Sequence, residues 1–313
     1  MNPRRKRITK FMTEKKDLSD IHFNSWVDRI LPVGWKPYAR LARLDRPVGT
    51  WLTLLPCVAA LVQASNGAPD ILRLGVFSLG ALIMRSAGST ANDIADRNFD
   101  AHVERTRFRP LASGALKVKQ ALAFLFFELL LAASLLIFLN PLSRWLAVGL
   151  VPVVLIYPLC KRFTYWPQVP LGMAFNWGML MAWSDTNGMV PAGAIAMWLG
   201  AVCWQVGYDS FYAYADIADD AKLKLKSTAL LFSDKGRQWI GSFYAATIAL
   251  WTFGGIHLHM STAYFMLIFL ISLHFFWQIK TFSIHQPTQS LNLFRANVLV
   301  GLLLLLATIS GSF

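Results

Sequence analysis

The stretch ANDIADRNFDAHVERTRFRPLASG, residues 91–114, decides how this chain is read. An apolar run leads straight into it. Acids follow at Asp93, Asp96, Asp100 and Glu104, and then bases at Arg105, Arg107 and Arg109. Traced backward, Arg85, Ser89, Asn92, Asp96 and Asp100 recur at spacings of 4, 3, 4 and 4. On a helix those positions stack along one side, with Asp93 one position round. The pattern predicts a polar stripe that begins inside an apolar helix and runs out of its end.

The surrounding composition says what that helix is embedded in. Of 313 residues, 55% are hydrophobic and 15% charged, against about 25% charged in soluble domains. The apolar residues come in blocks long enough to cross a bilayer as helices. Such blocks fall at about 48–65, 72–91, 120–139, 145–160, 167–184, 191–209, 238–255, 262–279 and 293–312. The expectation is an all-α integral membrane protein with nine transmembrane helices. Residues 1–46 form a basic cytoplasmic N-terminal segment, and 47–313 a single membrane-embedded domain.

The formal net charge of +13 has no basic face on a soluble fold to serve nucleic acid, so nucleic acid is not expected as a partner. The bases sit instead in alternate loops. Twelve Lys or Arg precede the first block, and clusters follow the second, fourth and sixth, while NGAPD, SDTNGMVP and GGIHLHMS carry none. That asymmetry places the N-terminus in the cytoplasm or its equivalent. Glu14, Asp17 and Asp20 count against an acid-poor transit peptide. A bacterial inner membrane is therefore expected, with a mitochondrial inner membrane left open. Cys57, Cys160 and Cys203 lack metal-ligand spacing and are read as reduced and structural.

A second acidic station ends the sixth block. In YDSFYAYADIADD, Asp209, Tyr212, Asp216 and Asp220 recur at spacings of 3, 4 and 4, which predicts one helical face. Asp93 to Asp209, Asp100 to Asp216 and Glu104 to Asp220 are each 116 residues apart, and Lys222, Lys224 and Lys226 follow as the arginines did before. Two pseudo-repeats of four helices plus one are inferred, with a site shared between the halves. Clustered carboxylates repel one another and resist desolvation unless a cation neutralises them. Mg²⁺ takes hard oxygen ligands, typically one or two carboxylates together with substrate phosphates. Arg and Lys bind the remaining phosphate oxygens. Paired acids, adjoining bases and an apolar bundle together point to a lipid diphosphate such as a polyprenyl diphosphate.

NDIADRNFD is similar to the N-D-x-x-D-x-x-x-D motif of the UbiA superfamily of intramembrane prenyltransferases, and DIADD fits its second D-x-x-x-D motif. RLDRPVGTWLTLLPC (43–57), RTRFRPLASG (105–114), YPLCKRFTYWPQVPLGMAFNWG (157–178) and the segment 208–232 resemble its 4-hydroxybenzoate polyprenyltransferase branch. One departure is visible: the second motif often reads D-R-E-D-D, and Ile217 and Ala218 replace its internal charges. The resemblance implies Mg²⁺, a polyprenyl diphosphate donor and 4-hydroxybenzoate or a similar aromatic acid, in the ubiquinone pathway. On that basis Asn92, Asp96, Asp100, Asp216 and Asp220 are the expected metal ligands. Arg46, Lys161 and Arg162 are candidate diphosphate contacts, and Arg85 is the candidate for the acceptor's carboxylate. Asp93 and Asp209 are alternative proton acceptors or further metal-side charges, and Tyr212 orients substrate.

Two rival functions remain at this stage. One is prenyl transfer to another precursor, such as homogentisate, dihydroxynaphthoate or a porphyrin. The other is cation-coupled transport, which the placement of the acids at helix ends rather than at the bilayer midplane opposes. Trp51, Trp145, Trp166 and Trp251 are assigned to interfacial belts, and Trp177 and Trp204 to the bundle interior.

Overall fold

The computed structural model describes residues 20–21, 24–103 and 105–313. Glu104, the basic residues of 1–19 and their acids Glu14 and Asp17 lie outside the described residues. Helices dominate, and there is no strand among the described residues. Among the described residues two short helices come first, α1 (Trp26–Ile30) and α2 (Lys36–Leu41). Next are α3 (Val48–Ala64), α4 (Ile71–Asp100), α5 (Val118–Leu135), α6 (Pro141–Ile156) and the single turn α7 (Cys160–Phe163). They are followed by α8 (Gln168–Asn187), α9 (Ala192–Ala215), α10 (Ile217–Lys222) and α11 (Thr228–Phe232). The last three are α12 (Gly236–His257), α13 (Thr262–Thr281) and α14 (Pro287–Gly311).

Nine of these helices coincide with the nine apolar blocks. Among the described residues, six helical stretches are long and apolar enough to cross a membrane: Ile71–Asp100, Val118–Phe138, Pro141–Phe163, Thr228–His257, Thr262–Thr281 and Pro287–Gly311. Length and composition thus support six of the nine expected spans among the described residues. Helix α3 is apolar but only 17 residues long. Helices α8 and α9 are diluted by polar residues that pack inward, among them Asn176, Ser184, Asp185, Gln205 and Ser210. Large apolar side chains face outward, as at Phe126, Leu155 and Phe269, a surface suited to lipid rather than water.

The described residues gather into two compact units. One combines the described part of Met1–Pro47 with Ser86–Glu128, and the other combines Val48–Arg85 with Leu129–Phe313. In the smaller unit Leu41, Leu116 and Ala121 form a core with Tyr38, Ile94, Leu111 and Phe124 around it. A polar tie runs through it as well: the Ser86 hydroxyl donates to the buried carboxyl of Glu128.

In the larger unit α9 packs on α8, α12 and α14, and α3 packs on α8 and α14. Small residues permit the close approach: a Cβ at Gly207 would come within 2.6 Å of the Tyr244 ring. Local chemistry sets the helix ends. Asn140 caps α6 by accepting from the Ser143 N–H at 2.8 Å, with Pro141 in the first turn. Gly188 closes α8 in the left-handed region at φ 69°.

A buried polar chain crosses this core. Trp204 Nε1 donates to Asn297 Oδ1 at 2.8 Å, Asn297 Nδ2 to Gln278 Oε1 at 3.1 Å, and Tyr244 Oη to Gln278 Oε1 at 2.7 Å. Trp251 sits beside Trp204, fully buried, with Nε1 donating to the Met197 carbonyl. Its assignment to an interfacial belt is thus corrected. Proximity to a helix end does not expose a side chain that a neighbouring helix covers.

Candidate active site

In the smaller unit, α4 continues without a break to Asp100, so the stripe Asn92, Asp96, Asp100 does lie on one helix. Asp96 and Asp100 are buried. Asp93 is fully buried, and its oxygens are held by arginines. Arg43 Nη2 stands 2.5 Å from Asp93 Oδ1 and Arg43 Nη1 3.0 Å from Oδ2. Arg109 Nη1 bridges Asp93 Oδ1 at 3.1 Å and Asp100 Oδ2 at 3.0 Å.

The same Arg109 turns its other nitrogens to Asp20. Arg109 Nε and Nη2 donate to Asp20 Oδ2 at 3.0 and 2.8 Å, and Arg105 Nη1 donates to the same oxygen at 3.1 Å. Arg46 Nη1 lies 2.9 Å from Asp20 Oδ1. Burial pushes the Asp20 carboxyl up, but Arg109, Arg46, Arg105 and Arg43 together outweigh it and hold the group well below the usual carboxylate range. Burial and the adjacent Arg43 bring Arg46 down to about 10, against the pull of Asp20 and Asp45. Burial raises Asp45, against the opposing fields of Arg46 and Arg43.

Backbone shape aims one of these arginines. Arg43 follows α2 with φ 62°, a left-handed conformation usually left to glycine. It costs a non-glycine residue roughly 1–2 kcal/mol, and the bidentate grip on Asp93 offsets that cost.

The second station lies in the larger unit and differs from expectation. Asp209 and Tyr212 are on α9, but α9 ends at Ala215. Asp216 has φ −104° and ψ 2°, outside helical geometry, and Asp220 belongs to the separate α10. The one-face reading of Asp209, Tyr212, Asp216 and Asp220 is therefore corrected: the chain breaks at Asp216. The Asp216 carbonyl accepts from the N–H groups of Asp219 at 3.0 Å and Asp220 at 2.9 Å, which starts the new turn. Asp220 is buried, while Asp209, Tyr212 and Asp216 are half-buried. The Tyr212 ring packs on Phe294 at 4.9 Å between centroids.

Lys161 and Arg162 occupy α7. Lys226 ties that turn to the segment after α10: its N–H donates to the Lys161 carbonyl at 2.9 Å and its ammonium to the Phe163 carbonyl at 3.0 Å. Arg85 lies over the Phe175 ring at 5.1 Å. Its guanidinium fills the notch left by Gly49, where a Cβ would come within 2.4 Å of Nη2. The Tyr208 phenol lies in the fields of Arg85 and Asp209.

Among the described residues, no three His, Cys, Asp or Glu side chains gather closely enough to hold an ion by themselves. The donors still suit Mg²⁺. In the smaller unit Asp96 and Asp100 are buried hard oxygens, and one carboxylate oxygen of Asp100 is already shared with Arg109. Such a set fits an ion that completes its shell with phosphate oxygens and water, not a closed protein cage.

A family model described as the UbiA prenyltransferase family matches residues 53–305. The chain belongs to that family. This UbiA-family chain is 41% identical over 280 residues to the mitochondrial 4-hydroxybenzoate polyprenyltransferase of Drosophila pseudoobscura pseudoobscura, covering 88% of this chain and 70% of that one. It is 38% identical over 302 residues to the 4-hydroxybenzoate octaprenyltransferase of Pseudomonas aeruginosa (strain LESB58), covering 96% and 98%. Its fold resembles the apo structure of a UbiA homolog from Aeropyrum pernix K1, with a TM-score of 0.71, 22% identity and coverage of 82% and 96%. A UbiA homolog from Archaeoglobus fulgidus bound to GPP and Mg²⁺ gives 0.69 at 19% identity, with coverage of 88% and 99%.

Sequence reasoning located both acidic stations in this UbiA-family chain but missed two members of the arginine array's surroundings. Arg43 stood in a quoted segment without a role. Asp20 carried no signal, because nothing periodic links it to Arg105 or Arg109.

Proposed function

We propose that this chain transfers a polyprenyl group from a polyprenyl diphosphate to the ring of 4-hydroxybenzoate, ortho to the hydroxyl, in ubiquinone biosynthesis. The observation that carries this is the identity of 41% and 38%, over most of the chain, to proteins named for that transfer. The buried stripe Asp96–Asp100 beside an arginine array is the chemistry such a donor requires.

The proposed metal ligands are Asn92, Asp96 and Asp100 in the smaller unit and Asp216 and Asp220 in the larger. These residues would hold Mg²⁺, which would supply positive charge to neutralise the diphosphate leaving group. Arg46, Lys161 and Arg162 bind diphosphate oxygens, and Arg85 binds the aromatic carboxylate. Apolar walls keep water from the allylic cation that forms as the donor's C–O bond ionises. The ortho ring carbon attacks that cation, and the ring proton then leaves. Asp209 is the proposed acceptor of that proton, with Tyr212 orienting substrate. Asp93 is assigned to positioning instead, since both its oxygens already accept from guanidiniums.

The protein is a multi-pass membrane protein on this proposal, with nine helices crossing the bilayer as two pseudo-repeats of four plus one. Residues 47–313 act as one embedded domain, the N-terminus is cytoplasmic and the bacterial inner membrane is the location. The test is mass spectrometry of products from purified protein given Mg²⁺, 4-hydroxybenzoate and donors of several chain lengths. A prenylated 4-hydroxybenzoate and released pyrophosphate are expected. Product from homogentisate or dihydroxynaphthoate, with none from 4-hydroxybenzoate, would overturn the assignment.

A further inference from the structure

Asp20 lies outside both acidic motifs and ahead of the matched region 53–305, yet it is tied to both arginine-bearing segments. Its Oδ2 accepts from Arg105 and from two nitrogens of Arg109, and its Oδ1 faces Arg46. Its backbone is fastened too: the Asp20 N–H donates to the Arg105 carbonyl at 3.1 Å, and the Asp20 carbonyl accepts from Arg46. One partner segment precedes α3, and the other follows the Asp stripe of α4.

We propose that Asp20 is a positioning residue for anion binding: it holds Arg46, Arg105 and Arg109 as a fixed array that receives the donor's diphosphate. The proposal rests on the prenyl-transfer reading above. Three guanidiniums at such close quarters repel one another, and each long side chain loses rotamer freedom when ordered. A shared carboxylate removes both obstacles before substrate arrives. Arg109 passes the constraint on, since its Nη1 holds Asp93 and Asp100.

The test measures binding of inorganic pyrophosphate with Mg²⁺ to the purified full-length protein by calorimetry, alongside donor KM and kcat. Asp20→Asn is expected to weaken pyrophosphate binding and raise donor KM by roughly tenfold, with kcat changed much less. Asp20→Glu, which keeps the charge, is expected to recover part of the affinity. Asp28→Asn removes the same charge from the same segment at the separate Arg40–Asp28 pair and is expected to leave affinity unchanged. Unchanged affinity in Asp20→Asn would overturn the proposal. Tighter binding would overturn it as well, by making Asp20 an occupant of the anion site. Should Asp20→Asn not fold, Arg105→Lys keeps the charge but loses the planar fork, and unchanged pyrophosphate affinity there would be equally fatal. A wild-type protein that binds pyrophosphate but makes no prenylated product would sink the functional reading and leave this one standing.

Discussion

Arg43 grips Asp93 across 50 residues of sequence, Nη2 to Oδ1 at 2.5 Å and Nη1 to Oδ2 at 3.0 Å, with the carboxylate fully buried. Breaking a buried ion pair from one side leaves an uncompensated charge and costs about 3–5 kcal/mol. Asp93→Ala should therefore lower the thermal unfolding midpoint in detergent and reduce turnover together. Arg43→Lys, which keeps the charge but not the fork, should show a smaller fall in both. An Asp93→Ala protein with wild-type stability and lost turnover would instead restore Asp93 as a catalytic base.

Asp96→Ala and Asp216→Ala should each abolish prenyl transfer in protein that still inserts and purifies as a single species. The measurement is product formation at saturating Mg²⁺, with gel filtration as the folding control. Near-normal turnover in either variant would remove that residue from the proposed metal ligands.

Gly49→Ala should imitate a partial loss of Arg85. The added Cβ would sit 2.4 Å from Arg85 Nη2 and drive the guanidinium off the Phe175 face. The aromatic acid's KM should rise several-fold while donor KM holds, and Arg85→Ala should raise it further. An unchanged acceptor KM in both variants would end the assignment of Arg85 to the carboxylate.

Asp20 also predicts an acid limit to stability. Its carboxyl titrates below the ordinary value of 3.8 in the folded protein, so the unfolded chain binds that proton more readily. Its stabilisation is complete above about pH 5 and is lost as pH falls through 4 toward the folded value. Unfolding midpoints followed from pH 6 to pH 3 should fall less steeply in Asp20→Asn than in the wild type.

The α4 stripe was legible because a spacing of four residues maps directly onto a helix that runs unbroken to Asp100. The same rule misplaced Asp220, since the break at Asp216 has neither proline nor glycine to mark it. Apolar blocks located the nine long helices, but block length could not tell α5, whose apolar side chains face outward, from α9, whose polar residues pack inward. Contacts such as Asp20–Arg109 and Trp204–Asn297 join distant residues and leave no period to detect.

The left-handed turn at Arg43 carries a warning for engineering. A designer seeking a hardier enzyme would place glycine there, relieving the backbone at a position that glycine fits without strain. The substitution would delete the hand that holds Asp93. Local comfort and charge order compete for one residue, so thermostabilised variants of this chain should be screened for anion affinity before they are ranked by melting temperature.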